Sequence, residues 1–296
     1  MSGELSHLQL DTAEVSLHLA CQGEGPLVVM CHGYPGLWYS WRHQLPALAA
    51  AGYRAVALDT RGYGRSSRPL AVEQYTFDRT SADVLAVLDH FGEEQAVVVG
   101  HDFGANLAWH LAVHHPQRLR AVVSVCVPYE MALAGGSDVR PTELYAQVAS
   151  AHFFHMHYYQ QPGVPEESTR GREREFLAKL FWALCADGDL LGWERFPPGA
   201  HYVDVLAEPP TLPPWSWLGA ADFDYYVQEY MADRPETTFI GGINAYRAMD
   251  LNWEMFAASR HAPVEMPALF VGGVEDPVVK LGSEQEFEHM RRLVRD

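Results

Sequence analysis

The stretch that most constrains the fold is a short apolar run that ends in a glycine-flanked aspartate. It reads Val97-Val98-Val99-Gly100-His101-Asp102-Phe103-Gly104, and a segment of helical period follows at once. Glycines two residues before and two residues after Asp102 permit a turn sharp enough for a strand to run directly into a helix. The central side chain then projects above the sheet, where it can act as a nucleophile. The plainer interpretation is that Asp102 is the N-cap of an ordinary helix.

Apolar runs before and after this turn predict a parallel sheet. They are bounded by turn residues and have the length of strands buried on both faces: 26–31, 55–58, 96–99 and 121–126. Segments of helical length and period separate them, at 38–51, 77–91 and 103–115. Alternating strands and helices predict an α/β fold, with a mostly parallel central sheet and helices on both faces.

The texture of the chain changes after Pro128. Aromatic residues and prolines replace the β-branched runs up to about residue 250, which predicts a mostly helical cap laid over the sheet. A strand pattern returns at 268–272, and a helical segment follows at 282–295. We therefore expect one core in two pieces, 1–128 and 251–296, and a cap at 129–250.

Composition limits the partners and the compartment. The formal net charge of −17 argues against nucleic acid and anionic membrane surfaces, because binding to phosphate needs a basic face. No apolar run is long enough to cross a bilayer, and the first residues carry no secretory signal pattern. The four cysteines, Cys21, Cys31, Cys126 and Cys185, form no CxxC pair and are expected to be reduced. Cys31 and Cys126 lie in apolar runs that predict buried strands. We expect a cytoplasmic protein.

A second motif supports a reactive role for the aspartate. His32-Gly33-Tyr34-Pro35 follows the first of the buried runs, and Tyr34–Pro35 is a candidate cis peptide bond. The loop after that strand and the residue after a nucleophile supply the N–H groups that stabilise an oxyanion. The expected donors are the backbone amides of Tyr34 and Phe103. An aspartate in this position attacks carbon directly and forms a covalent ester.

Together these motifs resemble the epoxide hydrolases of the α/β-hydrolase superfamily, in the soluble bacterial group that has an aspartate nucleophile. The resemblance also rests on residues 38–42 and 59–67, and it covers nearly the whole chain. It implies an α/β-hydrolase fold with a helical cap, and hydrolysis of an epoxide to a vicinal diol through an ester of Asp102. It implies no metal and no organic cofactor. The expected partners are a small apolar epoxide and water, and a homodimer is left open.

The resemblance also assigns residues on the cap. In the family two acidic side chains, normally tyrosines, hold the epoxide oxygen and protonate it. Tyr246 matches the second of them, and the family spacing before the Pro-Gly-Val turn at 162–164 places His155 at the first. This departure implies either that His155 replaces the tyrosine, which we favour, or that a shift of one turn brings in Tyr158 or Tyr159. The expected substrate-binding residues are Trp38, Tyr158 and Tyr159.

This sequence has a residue that matches the acid of the implied triad but none that matches its histidine base. Asp276 follows the returning strand at the family's acid position and would orient a catalytic histidine, with Glu275 as its neighbouring rival. The family's histidine lies some tens of residues later, after one more strand and before a last helix. The only later histidine in these 296 residues, His289, lies in an apparent helix. We therefore expect the base, with a last core strand and helix, beyond Asp296.

Other uses of this scaffold are less well matched. Haloalkane dehalogenases usually have a tryptophan directly after the nucleophile, where this chain has Phe103. Haloacetate dehalogenases carry arginines just after the nucleophile, and residues 105–107 contain none. Esterases need a serine or cysteine nucleophile at the position that Asp102 occupies in this chain. A non-catalytic binding protein with a hydrolase fold remains an alternative, because no histidine is in the expected position.

Overall fold

A seven-stranded sheet is the frame of the molecule in a computed structural model, which describes residues 3–129, 138–232, 235–259 and 261–294. The order across the sheet is β1-β2-β4-β3-β5-β6-β7. The strands are β1 (Ser6–Asp11), β2 (Ser16–Gln22), β3 (Leu27–Cys31), β4 (Arg54–Leu58), β5 (Ala96–His101), β6 (Leu119–Val125) and β7 (Ala268–Val271). From β4 to β7 all neighbouring strands are parallel, and β1 and β2 add an antiparallel edge.

The predicted α/β fold with a mostly parallel sheet is confirmed. The four buried runs of the sequence form β3 to β6, and the returning strand is β7. Strands β1 and β2 were not predicted, because the weak alternation of β1 leaves most of its residues exposed. Pairing with β2 along its whole length holds β1 in place.

Three helices pack on the first half of the sheet: α1 (Gln44–Ala50), α2 (Phe77–His90) and α3 (Phe103–His114). The single helix predicted over 38–51 is divided into a 3-10 turn at Trp38–Trp41 and α1. Pro46 gives the reason, since proline is tolerated only in the first turn of a helix. A continuous helix would bring its ring against the carbonyl group of Arg42.

Short helices make up the part predicted as a cap. They are α4 (Pro141–Ala149), α5 (His155–Tyr159), α6 (Val164–Thr169), α7 (Glu173–Ala183), α8 (Tyr202–Val205), α9 (Ala220–Met231), α10 (Ile240–Arg247) and α11 (Met249–Met255). Their aromatic side chains form a separate apolar cluster, which also contains Tyr34 and Leu37 after β3 and Tyr63 after β4. These contacts place the helices over the carboxyl ends of the strands. The boundaries at 128 and 250 remain a prediction, and residues 130–137 lie outside the described part.

After β7 the chain forms α12 (Pro277–Leu281) and α13 (Glu284–Leu293). The side chain of Asp276 caps α12, and Ser283 and Glu286 form a reciprocal capping box at the start of α13. Met290 of α13 packs into the apolar cluster of the sheet. The carboxyl end of β7 is thereby held at the same edge of the sheet as the turn after β5.

The turn between β5 and α3 depends on glycine in two positions. Asp102 has a φ of 55°, in a region that few non-glycine residues adopt. A Cβ atom on Gly100 would lie 2.0 Å from the carbonyl oxygen of Gly104. A Cβ atom on Gly104 would lie 2.2 Å from the carbonyl oxygen of Cys31 in β3. The helix can therefore approach the sheet this closely only without these side chains.

Replacing Gly104 by alanine should destabilise the protein strongly, because the added methyl group meets backbone atoms that cannot turn aside. We expect Gly104→Ala to lower the free energy of unfolding by roughly 3 kcal/mol, measured by urea denaturation. The matched control is Gly273→Ala, where the nearest atom to an added Cβ is 3.6 Å away and the change should stay within about 1 kcal/mol. Equal losses in the two variants would contradict a special packing role for Gly104.

Candidate active site

The carboxylate of Asp102 lies at the bend between β5 and α3. The backbone N–H of Tyr34 donates to its Oδ1 at 2.8 Å, and the N–H of Phe103 also donates to this carboxylate. These are the two amides that the sequence predicted as oxyanion donors. The Tyr34–Pro35 bond, which follows the N–H group of Tyr34 in the loop, is cis, as expected from the sequence. The loop after β3 and the first turn of α3 thus meet on one oxygen-binding position.

Opposing effects act on the ionisation of Asp102. Burial raises the pKa of this carboxyl group above its usual value, and the negative charge of Asp276 adds to the increase. His101 and the N–H groups of Tyr34 and Phe103 lower the pKa, because they stabilise the ionised form. Asp102 is therefore a desolvated carboxyl group whose ionised form is stabilised by His101 and by two backbone N–H groups.

A cavity of about 380 Å³ opens above Asp102, between the sheet and the short helices. Its walls are mostly aromatic and aliphatic, with contributions from α4, α5, α7, α10 and α12. Among its polar residues are Asp102, Asn106, His155, Tyr159 and Tyr246. A volume of this size suits a small ligand, and the few polar groups can orient it.

Tyr246 and His155 lie together at the roof of this cavity. The ring of Tyr246 contacts Phe103 edge-on, with centroids 4.8 Å apart, and the ring of His155 is 5.5 Å from that of Tyr246. Burial raises the pKa of Tyr246 well above its ordinary value, and the negative charge of Asp102 adds to this. The phenol therefore keeps its proton at neutral pH and can act as a hydrogen-bond donor.

His155 is buried among aromatic rings, and its Nδ1 has no hydrogen-bond partner within the described residues. Burial lowers the pKa of His155 to about 3. An exposed imidazole titrates near neutrality. The desolvation of the ring instead keeps it neutral over the physiological range, with one N–H to donate.

The three predicted substrate-binding residues have different surroundings. Tyr159 lines the cavity, stacks on Tyr246 at 4.7 Å and has its hydroxyl 3.5 Å from that of Tyr34. Tyr158, on the same helix, is not part of the cavity wall, and its hydroxyl hydrogen-bonds to Ser168. Trp38 also lies away from the cavity, where its indole N–H donates to the hydroxyl of Tyr225 at 2.8 Å.

Asp276 is the residue that the sequence predicts as the triad acid. It follows β7, and its Oδ1 accepts from the backbone N–H of Val278 at 2.8 Å. Its charge is felt by Asp102, whereas Glu275 turns to the surface and pairs with Lys280 at 2.7 Å. The ring of His289 lies 5.4 Å from that of His261 and is not part of the cavity wall. The histidine base beyond Asp296 stays a prediction.

Sequence reasoning missed Asn106, which lines the cavity one turn after Asp102. Its signal was available, because residues four apart on a helix share a face and Asn106 is a polar residue in an apolar segment. Within the described residues no three His, Cys, Asp or Glu side chains are grouped to hold a metal ion. In the same part of the chain, no helix has the length and apolarity to cross a membrane.

The buried imidazole of His155 should make stability depend on pH in a defined window. An unfolded imidazole binds a proton below pH 6.5, whereas folded His155 does so only near pH 3. The free energy of unfolding should therefore fall as the pH falls from 6.5 toward 3, by about 1.4 kcal/mol per pH unit for this one group. Urea denaturation at several pH values should give a slope smaller by that amount in His155→Phe. An unchanged slope would mean that folded His155 binds its proton as readily as the unfolded chain.

Comparison with known proteins agrees with this architecture. The model of the α/β-hydrolase fold family matches residues 26–289. Epoxide hydrolase A of Mycobacterium tuberculosis is 39% identical over 274 residues, which cover 91% of this chain and 82% of that protein. Epoxide hydrolase B of the same organism is 36% identical over 287 residues, which cover 86% and 78%.

Solved structures give the same result. An epoxide hydrolase from an endophytic Streptomyces superposes with a TM-score of 0.88 at 38% identity, covering 98% of this chain and 85% of the other. Epoxide hydrolase A from Mycobacterium thermoresistibile superposes with a TM-score of 0.87 at 39% identity, covering 99% and 90%. The two structural neighbours thus share the fold described above.

Proposed function

Because this chain belongs to the α/β-hydrolase fold family, and within it to the epoxide hydrolases, we propose that Asp102 opens the epoxide and that the resulting ester is hydrolysed to a vicinal diol. The observation that carries this mechanism is the position of Asp102. It stands at the bend between β5 and α3, under two backbone N–H groups and at the base of a cavity of about 380 Å³. A carboxylate that is already ionised needs no base to attack carbon.

In the first step, an oxygen of Asp102 attacks one ring carbon of the epoxide and the C–O bond of the ring breaks. The leaving oxygen develops negative charge and takes a proton from a cap residue. Tyr246 can supply it, because burial keeps its phenol protonated, and neutral His155 can donate a second hydrogen bond. Two neutral donors in an apolar cavity stabilise this charge more than they would in water.

In the second step, water attacks the carbonyl carbon of the ester. The amides of Tyr34 and Phe103 stabilise the oxyanion that forms, since they already hold an oxygen of Asp102 in the free protein. The bond from that carbon to the substrate oxygen then breaks, this oxygen takes the proton that the attacking water gave up, and the diol leaves. A histidine oriented by Asp276 carries the proton of the attacking water to this oxygen. The acid proton that remains on Asp102 returns to the phenolate of Tyr246, which restores both the carboxylate and the phenol.

The cavity favours a small apolar epoxide as the substrate class. Aromatic and aliphatic side chains form most of its wall, including Leu180, Leu184, Trp193 and Met249. Tyr159 and Tyr202 add aromatic surface beside the donors. Trp38 and Tyr158 are expected to act on substrate only indirectly, because neither lines the cavity.

Intact-protein mass spectrometry with styrene oxide tests the covalent step. We expect the wild-type chain to gain the mass of one epoxide and Asp102→Asn to gain none, because an amide is a poor nucleophile. Asp276→Asn is the control, since it should still form the ester. A lasting adduct means that these 296 residues lack the base, whereas diol formation without a lasting adduct means that they contain it. No adduct and no diol with a folded wild type would favour the non-catalytic alternative.

The role of Tyr246 predicts a selective loss of ring opening. Removing the hydroxyl in Tyr246→Phe should slow formation of the Asp102 ester by about 100-fold, because general acid catalysis contributes at least that much. Tyr158→Phe removes the same hydroxyl from a tyrosine that lies off the cavity wall, and should react at the wild-type rate. Similar rates for the two variants in a mass-spectrometric time course would contradict this role.

A further inference from the structure

The amide of Asn106 is a polar group in the cavity wall that the mechanism does not use. Asn106 lies on α3, and its backbone N–H donates to the carbonyl oxygen of Asp102 at 3.1 Å. Its neighbours Ala105 and Leu107 belong to the apolar cluster of the sheet, whereas Asn106 faces the substrate cavity. Asn106 is only 9% exposed, and it forms part of the cavity wall.

Neither end of this amide is paired within the described residues. The Oδ1 atom is closed off from solvent and has no hydrogen-bond partner, and Nδ2 forms no hydrogen bond with another side chain or with the backbone there. An unpaired buried polar group destabilises the folded protein, and an apolar residue of similar shape would avoid that loss. A leucine in this position would leave no polar group unpaired. The asparagine is therefore better explained by a hydrogen-bond partner on the bound ligand.

The orientation of the amide indicates what that partner is. Rotating the side-chain amide by 180° would exchange Oδ1 and Nδ2. The two N–H donors of Nδ2 would then be shielded from solvent without partners, and Oδ1 would face the cavity. A buried carbonyl without a partner is tolerated more often than a buried N–H group. The arrangement with Oδ1 closed off and Nδ2 toward the cavity is therefore the favoured one. A group at this position should recognise a hydrogen-bond acceptor.

We propose that Asn106 is a specificity-determining residue, which donates a hydrogen bond from Nδ2 to an ether or carbonyl oxygen of the epoxide substrate. Side chains four residues apart on a helix are about 5–6 Å apart at Cβ. An oxygen one or two carbons away from the epoxide ring therefore reaches Asn106 while Asp102 attacks the ring. This inference rests on the proposed function, since it concerns the substrate of the same site.

A pair of epoxides that differ in one atom tests the inference. Phenyl glycidyl ether and 4-phenyl-1,2-epoxybutane have the same shape, but the second has CH2 in place of the ether oxygen. The measured quantity is the second-order rate constant for formation of the Asp102 ester, followed by intact-protein mass spectrometry. For each protein, the rate constant for the ether epoxide is divided by that for the hydrocarbon epoxide. Dividing this ratio in a variant by the ratio in wild type cancels the intrinsic reactivity of each epoxide.

In Asn106→Leu the ratio of the ether rate constant to the hydrocarbon rate constant should be about tenfold lower than in wild type, which is the effect of one hydrogen bond. The hydrocarbon epoxide should react with the variant at least as fast as with wild type. The control is Met249→Leu, which places the same residue in an apolar part of the cavity wall and should change both rate constants by the same factor. Equal changes for the two epoxides in Asn106→Leu, or no change in either, would overturn the inference.

Failure of the proposed function gives a different result. If wild type forms no ester with either epoxide, the chemistry is wrong, and binding of the corresponding diols by calorimetry still tests Asn106. Wild type should bind 3-phenoxy-1,2-propanediol more tightly than 4-phenyl-1,2-butanediol, and Asn106→Leu should lose that preference. An equal or undetectable response to the two diols in wild type would also overturn the inference.

Discussion

The close approach of α3 to β3 is the constraint on which the rest of the site depends. With hydrogen in place of a side chain, Gly104 lies against the carbonyl group of Cys31, and the chain turns from β5 into α3 within one residue. That residue, Asp102, is left at a φ of 55° with its side chain above the sheet. Strain of this kind persists only where the surrounding structure determines it, and it is concentrated at functional sites. Here the determinant is packing between backbones.

The cavity exists because two apolar cores meet without merging. The first lies between the sheet and its helices, and the second is formed by the aromatic side chains of the short helices. Tyr34 and Tyr63 come from loops of the sheet but pack in the second core. The loop that carries an oxyanion donor is therefore held by the cap as well as by the sheet. A change in the cap can in this way reach the nucleophile without touching it.

Burial shifts the pKa of each of the three ionisable groups that the proposed mechanism uses. Burial opposes charge on Asp102, but two backbone N–H groups stabilise the charged form. Burial also favours the neutral forms of Tyr246 and His155, and no charged group compensates that effect on His155. One anion and two neutral donors are what ring opening of an epoxide requires at neutral pH. The same desolvation explains why an imidazole that looks titratable in the sequence is not so in the folded protein.

Much of this protein can be read from local sequence. The apolar runs predict the parallel strands, because strands buried on both faces need no other pattern. The glycines around Asp102 predict the bend, because few residues fit a turn so tight. The motif at 32–35 predicts one amide donor for the same reason. These features depend on a few neighbouring residues, so tertiary context could not change them.

Other features were decided only by the tertiary structure. Trp38, like Tyr158 and Tyr159, lies in an aromatic-rich stretch of the sequence. In the structure, however, the polar atoms of Trp38 and Tyr158 bind Tyr225 and Ser168 away from the cavity. Asn106 was not singled out, since only the fold shows which face of α3 meets the cavity. The sequence by itself determined the parallel strands, the bend and the identity of the candidate nucleophile, because local sterics and hydrophobic pattern suffice for them. Which polar side chains face the substrate, and in which protonation state, depended on burial and on partners distant in the chain.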